Sequence, residues 1–180
     1  MKTAFIGHRK VFAKDISERL VAAIKEEIAN GCTSFTMGTH GEFDEIALSV
    51  CRKLRREYGD LKIEVVITSL TAVKKQDEFD TAPYADVQTV KHEIDDVYYK
   101  RQITVINRYM IDECDTLISY VDTSAYRSGA KGALRYAEKR GLKIVNLYRA
   151  EDNPMCAMTQ KQIDEYWKKQ TVVLQKLQKH

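Results

Sequence analysis

Apolar residues fall along this chain in two alternating rhythms. Thr3-Ala-Phe-Ile6, inside Lys2–Gly7, is a short apolar run that begins after a charge and ends at glycine, the pattern of a buried strand. The spacing then changes. Ile16, Leu20, Ala23, Ile24 and Ile28 recur on one helical face, Asp15 and Glu18 stand as a capping box, and Asn30-Gly31 is a helix stop. The plan repeats with a strand at Thr33–Met37, a tight turn at Gly38-Thr-His-Gly41 and a helix from about Glu42. Its stripe is Phe43, Ile46, Ala47, Val50, Cys51 and Leu54, and Gly59 closes it. Ile63–Thr68 is a third strand with a continuous Val-Val-Ile centre, as in parallel sheets covered on both faces.

Ser69–Asp96 contains Pro83 and shows no period, so it reads either as a long functional loop, a flap beside a site, or as short elements that leave no pattern. Tyr99, Ile103, Ile106, Tyr109 and Met110 mark a helix to about Glu113. Thr116–Val121 is a fourth strand, and a polar loop leads to a helix over Gly129–Arg140. Lys143–Leu147 is a fifth strand, Pro154 marks a loop, and Thr159 opens a helix over 159–178 bearing Ile163, Tyr166, Trp167, Leu174 and Leu177. With no repeat or linker, the expectation is a single domain over 1–180 with the last helix packed on it. Tyr166 and Trp167 serve either that packing or a homo-oligomer contact.

Strands alternating with helices imply an α/β fold: a Rossmann-like, doubly wound parallel sheet of about five strands in the order 3-2-1-4-5. Ligands in such sheets bind where the strand order reverses, beyond the C-terminal strand ends. That rule brings Gly7, His8 and Arg9 beside the loop Asp122–Lys131, with Gly38, Thr39, Gly41 and Phe43 as the adjoining wall. Ser128, Gly129, Ala130 and Lys131 open a helix, whose first N–H groups lack internal acceptors and lie at the positive end of its dipole. Together they make an anion cradle, to which Arg9 and Lys131 add charge-assisted bonds. His8 is placed to meet a ribose or a base. Arg108 faces the same crevice or pairs with Asp112 four residues on. Each glycine alone has an ordinary use, Gly129 and Gly132 in helix–sheet packing for instance. Three glycine-containing turns meeting at one crevice favour a site. Glu42 and Asp44, at a helix start beside it, are the candidate acid or base, though acids there also suit the dipole.

Composition narrows the classes. A chain of 180 residues can bury a full core without staples. Four cysteines and four histidines lie scattered, so neither disulfides nor a metal are expected. The N-terminus lacks a signal-peptide pattern, and no apolar run approaches the ~20 residues of a membrane helix, which makes the cytoplasm the expected compartment. The net charge of +3 comes from the tail, where Lys161, Lys168, Lys169, Lys176 and Lys179 face Asp164 and Glu165. Arg52, Lys53, Arg55 and Arg56 suit a helix C-terminus, so nucleic acid is disfavoured as a partner. Neither G-x-x-x-x-G-K-[ST] nor G-x-G-x-x-G occurs at the expected place, which leaves the cofactor unknown and a nucleotide-like small molecule as the expected partner.

Four segments occur in order: Ala4-Phe-Ile-Gly-His-Arg9, Gly38-Thr-His-Gly-Glu-Phe-Asp-Glu-Ile-Ala47, Asn107-Arg-Tyr-Met-Ile-Asp-Glu-Cys-Asp115, and Ser128-Gly-Ala-Lys with Tyr136-Ala137. As a set, spanning about Lys2 to Leu147, they resemble the SLOG superfamily (Smf/DprA and LOG proteins), in particular its YpsA-like branch from bacteria and their mobile elements. The resemblance implies a Rossmann-like fold that binds nucleotides or nucleotide-derived ligands, often as a sensor. LOG enzymes release a base from a nucleoside monophosphate with a P-G-G-x-G-T-x-x-E motif. Laid on it, this chain keeps Gly129 and Gly132 but has Ala130 for a glycine, Ala133 for threonine and Tyr136 for the catalytic glutamate. A tyrosine supplies no carboxylate at neutral pH. The expectation is therefore nucleotide binding, with hydrolysis of an N-glycosidic or phosphate bond as one alternative. Single-stranded DNA binding or a protein-interaction role, as the Smf/DprA branch suggests, is the other.

Overall fold

The computed structural model describes residues 1–67, 86–91, 99–125 and 128–154. Two units are distinguished, Met1–Tyr148 and Arg149–His180. In the second, Ala150–Asp152 forms a single 3-10 turn in which the Asp152 carboxylate accepts the Arg149 amide at 2.9 Å. The expected helix over 159–178, with Tyr166 and Trp167, lies outside the described residues.

The first unit is a parallel sheet built from β1 (Lys2–Gly7), β2 (Ser34–Met37), β3 (Lys62–Ile67), β4 (Gln88–Lys91), β5 (Thr116–Tyr120) and β6 (Lys143–Asn146). Its order is β4-β3-β2-β1-β5-β6, so the five expected strands hold the order 3-2-1-4-5 and a sixth strand extends one edge. That extra strand, paired with β3 from Glu64↔Gln88 to Ile67↔Lys91, falls in the stretch read as a flap or as unrecognised short elements. Gln88-Thr-Val-Lys91 holds a single apolar residue, too few to make an apolar run. The rest of that stretch, 68–85 and 92–98, lies outside the described residues.

Among the described residues four helices cover the sheet: α1 (Ile16–Ala29), α2 (Glu42–Tyr58), α3 (Tyr99–Asp112) and α4 (Gly129–Arg140). β1 shows how the two faces divide. Phe5 joins Leu20, Ile24, Phe43 and Leu54 under α1 and α2, whereas Ala4 and Ile6 join Ile106, Met110 and Leu134 under α3 and α4. β3 and β5 do the same, with Val65 and Ile118 on one side, Val66 and Leu117 on the other. Side chains that alternate into two cores explain why the centres of these strands are apolar at consecutive positions.

Two expectations about α1 need correction. Asp15 makes no side-chain cap; its carboxylate holds Arg19 instead, with Arg19 Nε donating at 2.9 Å. Glu27, on a charged stretch, is 1% exposed because Lys143 reaches it at 2.7 Å, while Ile28 is only partly buried. A carboxylate with a cross-element cation can occupy a core position that periodicity reserves for an apolar residue.

The tip of β1 is set by close packing. A Cβ on Gly7 would lie 2.4 Å from Cδ1 of Phe43, whose ring is fully buried and stacks on Tyr120 at 5.8 Å between centroids. A Cβ on Gly41 would come 2.8 Å from the Arg9 Cα, so the β2–α2 turn rests on the backbone after β1. Gly7→Ala is expected to destabilise the fold by about 1–3 kcal/mol through overpacking, and Phe43→Leu in the same chain should return part of that loss. Urea unfolding of the two single variants and the double variant measures both.

Candidate functional site

The strand ends on the two sides of the order reversal enclose a pocket of about 290 Å³. That size lies at the lower edge of the ~300–1,000 Å³ usual for small-molecule sites. Gly7, His8 and Arg9 follow β1, Gly38, His40, Gly41 and Asp44 come from the β2–α2 turn, and Ser128, Gly129 and Ala130 open α4. Ile103, Asn107 and Met110 of α3 close the remaining side. The three turns brought together by topological reasoning do meet, and nine of the residues read as site candidates line the space.

The α4 start has the features of an anion cradle. Ser128 caps the helix, its Oγ accepting the Lys131 amide at 2.9 Å, and its carbonyl accepts the Gly132 amide at 3.1 Å. The amides of Gly129 and Ala130 have no acceptor among the described residues. They stand at the positive end of the dipole in the pocket wall. Nothing lies within 4 Å of a Cβ placed on Gly129 or Gly132, so helix–sheet packing does not account for either glycine. Arg9 lines the pocket with no ion-pair partner among the described residues.

Other candidates are placed differently. Lys131 Nζ donates to the Ala125 carbonyl at 2.8 Å, which braces the loop before α4 instead of facing the pocket. Thr39 is not among the lining residues, and Phe43 supports the wall from beneath Gly7. Glu42 is tied to the β1–α1 segment: it accepts the Val11 amide at 2.9 Å and pairs with Lys10 at 2.9 Å. Those two donors hold its carboxyl below the usual range, the wrong direction for a general acid. Arg108 lies with its guanidinium 5.2 Å from the centre of the Tyr136 ring, and Asp112 instead receives the Tyr136 hydroxyl at 2.8 Å and Arg140 at 3.0 Å. Tyr136 is thus outside the main pocket.

His8 and Asp122 shape the site through each other. His8 Nε2 accepts the Asp122 amide at 2.8 Å, so that nitrogen carries a lone pair and the ring is neutral. Burial pushes the His8 pKa down, opposed by the Asp122 charge. Asp122 is held further by Tyr148, whose hydroxyl donates at 3.1 Å, and it accepts both the amide and hydroxyl of Ser124. Asn146 completes the anchor, accepting the Val121 amide at 3.0 Å and donating to the Val121 carbonyl at 2.8 Å. His8 is therefore a brace, and its Nε2 has no capacity left for a ribose.

Asp44 is the titratable group that stands out. It accepts the His40 amide at 2.9 Å, yet burial drives its pKa up to about 6 against the lowering effect of the His40 and Gly41 amides. His40 shares this wall, its Nε2 buried and without a hydrogen-bond partner among the described residues, its pKa lowered by burial and by Arg9. Neither His40 nor Asn107 was marked by the sequence, since a turn histidine and a helix asparagine are each ordinary alone.

The basic face of α2 is partly neutralised, because Asp86 pairs with both Arg52 and Arg55. Among the described residues no cluster of His, Cys, Asp or Glu could hold a metal ion, and no helix is long and apolar enough to cross a membrane. No family model matches the chain, and no curated protein matches it.

A carboxyl whose folded pKa lies above its unfolded value stabilises the fold fully only below the unfolded pKa of about 4, and that contribution is lost as pH rises through about 6. Carbon NMR is expected to show the Asp44 carboxyl titrating near pH 6. Asp44→Asn should gain stability relative to the parent chain as pH rises from about 4 to about 6 and keep that gain above it, as read from unfolding midpoints.

Proposed function

We propose that this protein binds a nucleotide, or a small molecule derived from one, in the pocket at the strand ends. The observation that carries the reading is the meeting of two chemistries in one cavity of about 290 Å³. The Gly129 and Ala130 amides, without acceptors among the described residues, and the Arg9 guanidinium suit a phosphate. Asp44, Asn107 and His40 suit the hydroxyls of a sugar or the edge of a base. Ile103 and Met110 add apolar surface. Above about pH 6 Asp44 is ionised, so it accepts donors and repels phosphate, which sets the direction in which a nucleotide would lie. The resemblance to SLOG proteins agrees with this reading.

Isothermal calorimetry with nucleoside monophosphates tests it. Arg9→Ala should weaken binding by about tenfold or more, the loss of one charge-assisted bond. Lys131→Ala should alter affinity less, since that side chain braces a loop. Equal binding by the parent and Arg9→Ala proteins would remove the assignment.

A second reading has one observation in its favour. Asp44 alone among the acids at the pocket has its pKa raised toward neutrality, as a general acid for glycosidic-bond hydrolysis requires. If it acts so, prolonged incubation with nucleoside monophosphates will release free base detectable by chromatography, and Asp44→Asn will abolish release. Product from the parent protein but equally from Asp44→Asn would exclude Asp44 from the chemistry.

A further inference from the structure

The crevice continues past the start of α4. A second pocket of about 160 Å³ lies between α3 and α4, lined by Thr104, Arg108, Gly132 and Tyr136 among others, and it shares Asn107 and Gly129 with the first. The absence of atoms within 4 Å of a Cβ on Gly129 or Gly132 leaves the first turn of α4 open along the junction.

Arg108 is the charge in this second space, and its surroundings are informative. Asp112, one turn further along α3, is the natural partner for it. That carboxylate is already engaged by the Tyr136 hydroxyl at 2.8 Å and Arg140 Nε at 3.0 Å. Arg108 is held instead on the face of the Tyr136 ring, with no carboxylate paired to it among the described residues. A guanidinium laid on a ring is positioned without spending its in-plane N–H donors, which stay available to an anion. Asn107, at the junction, likewise makes no side-chain hydrogen bond among the described residues. A cation fixed by stacking and an uncommitted carboxamide thus extend the line that begins at the Gly129 and Ala130 amides.

We propose that the two pockets are one elongated site and that Arg108 binds a second phosphoryl group, so that the ligand class is a nucleotide carrying a pyrophosphate. The inference rests on the nucleotide reading of the first pocket and adds a requirement to it. The first phosphoryl group takes the amides of α4, the second lies over Gly132 against Arg108, and Asn107 bridges the two.

The test compares 5′-mono- and 5′-diphosphates of adenosine, guanosine, cytidine and uridine by calorimetry against the parent protein, Arg108→Ala and Arg108→Lys. At least one diphosphate should bind about tenfold or more tightly than its monophosphate. Arg108→Ala should abolish that margin while leaving monophosphate affinity unchanged, and Arg108→Lys should keep part of it. Arg108 is exposed, and matching melting curves will confirm that the variants fold. Diphosphates that bind no tighter than monophosphates, or a margin indifferent to Arg108→Ala, overturn the proposal while monophosphate binding survives. Absence of heat with all eight compounds overturns both this inference and the nucleotide reading.

Discussion

The seat of the Phe43 ring on Gly7 is the contact on which the rest of the site depends. It is possible only because Gly7 has no Cβ, and it brings the first turn of α2 directly onto the tip of β1. The neighbouring turn then falls into place: Gly41 packs on the Arg9 backbone, and the Glu42 amide donates to the Arg9 carbonyl at 3.0 Å. Tyr120 lies under the same ring and hands the arrangement on to β5, where the His8 amide donates to the Tyr120 carbonyl at 3.0 Å. Three turns from distant parts of the chain are held by one aromatic stack and its hydrogen-bonded margins, which is how a loop-built pocket acquires a rigid floor.

Above that floor, polar groups divide into those that brace and those left uncommitted. His8, Asp122, Lys131 and Glu42 each spend their hydrogen-bonding capacity on neighbouring loops. Among the described residues, Arg9, Asn107 and the Gly129 and Ala130 amides do not, so these groups can meet a ligand without breaking a bond within the protein. Asp44 is intermediate: two amides hold it, yet burial outweighs them and leaves its ionised form disfavoured.

Much of the fold was legible because apolar runs of strand length alternate with helical stripes, and right-handed crossovers allow few ways to assemble them. The limits of α4 were readable to the residue, since Ser128 is a good cap and Gly141 takes a left-handed φ of 72° at its end. The short β4 was not, because Gln88-Thr-Val-Lys91 carries one apolar residue, whereas the equally short edge strand β6 has Ile144 and Val145 together. Within the site, backbone-driven features such as Gly7, Gly41 and the α4 start were visible as glycine and cap signals. The roles of charged side chains were not. Whether Lys131 faces a ligand or a loop carbonyl, and whether Asp112 chooses Arg108 or Arg140, depends on distances across elements that linear spacing does not encode. Asn146 shows the same limit: as a strand-end residue it looks incidental, yet its carboxamide continues the ladder beside β5.

The double attachment of the β1–α1 segment to α2 bears on how this scaffold can change over evolutionary time. Arg9 is joined through its carbonyl and Val11 through its amide to the same residue, Glu42, so the register between the two is locked at both points. An insertion or deletion between them would have to break one bond or drag the helix with it. The described part of the stretch after Asp122 is held through side chains, Asp122 on Ser124 and Lys131 on the Ala125 carbonyl, which can follow a change of length, and gains or losses are best tolerated there. Divergence in what the pocket accepts should therefore accumulate through the second loop while the first keeps its span.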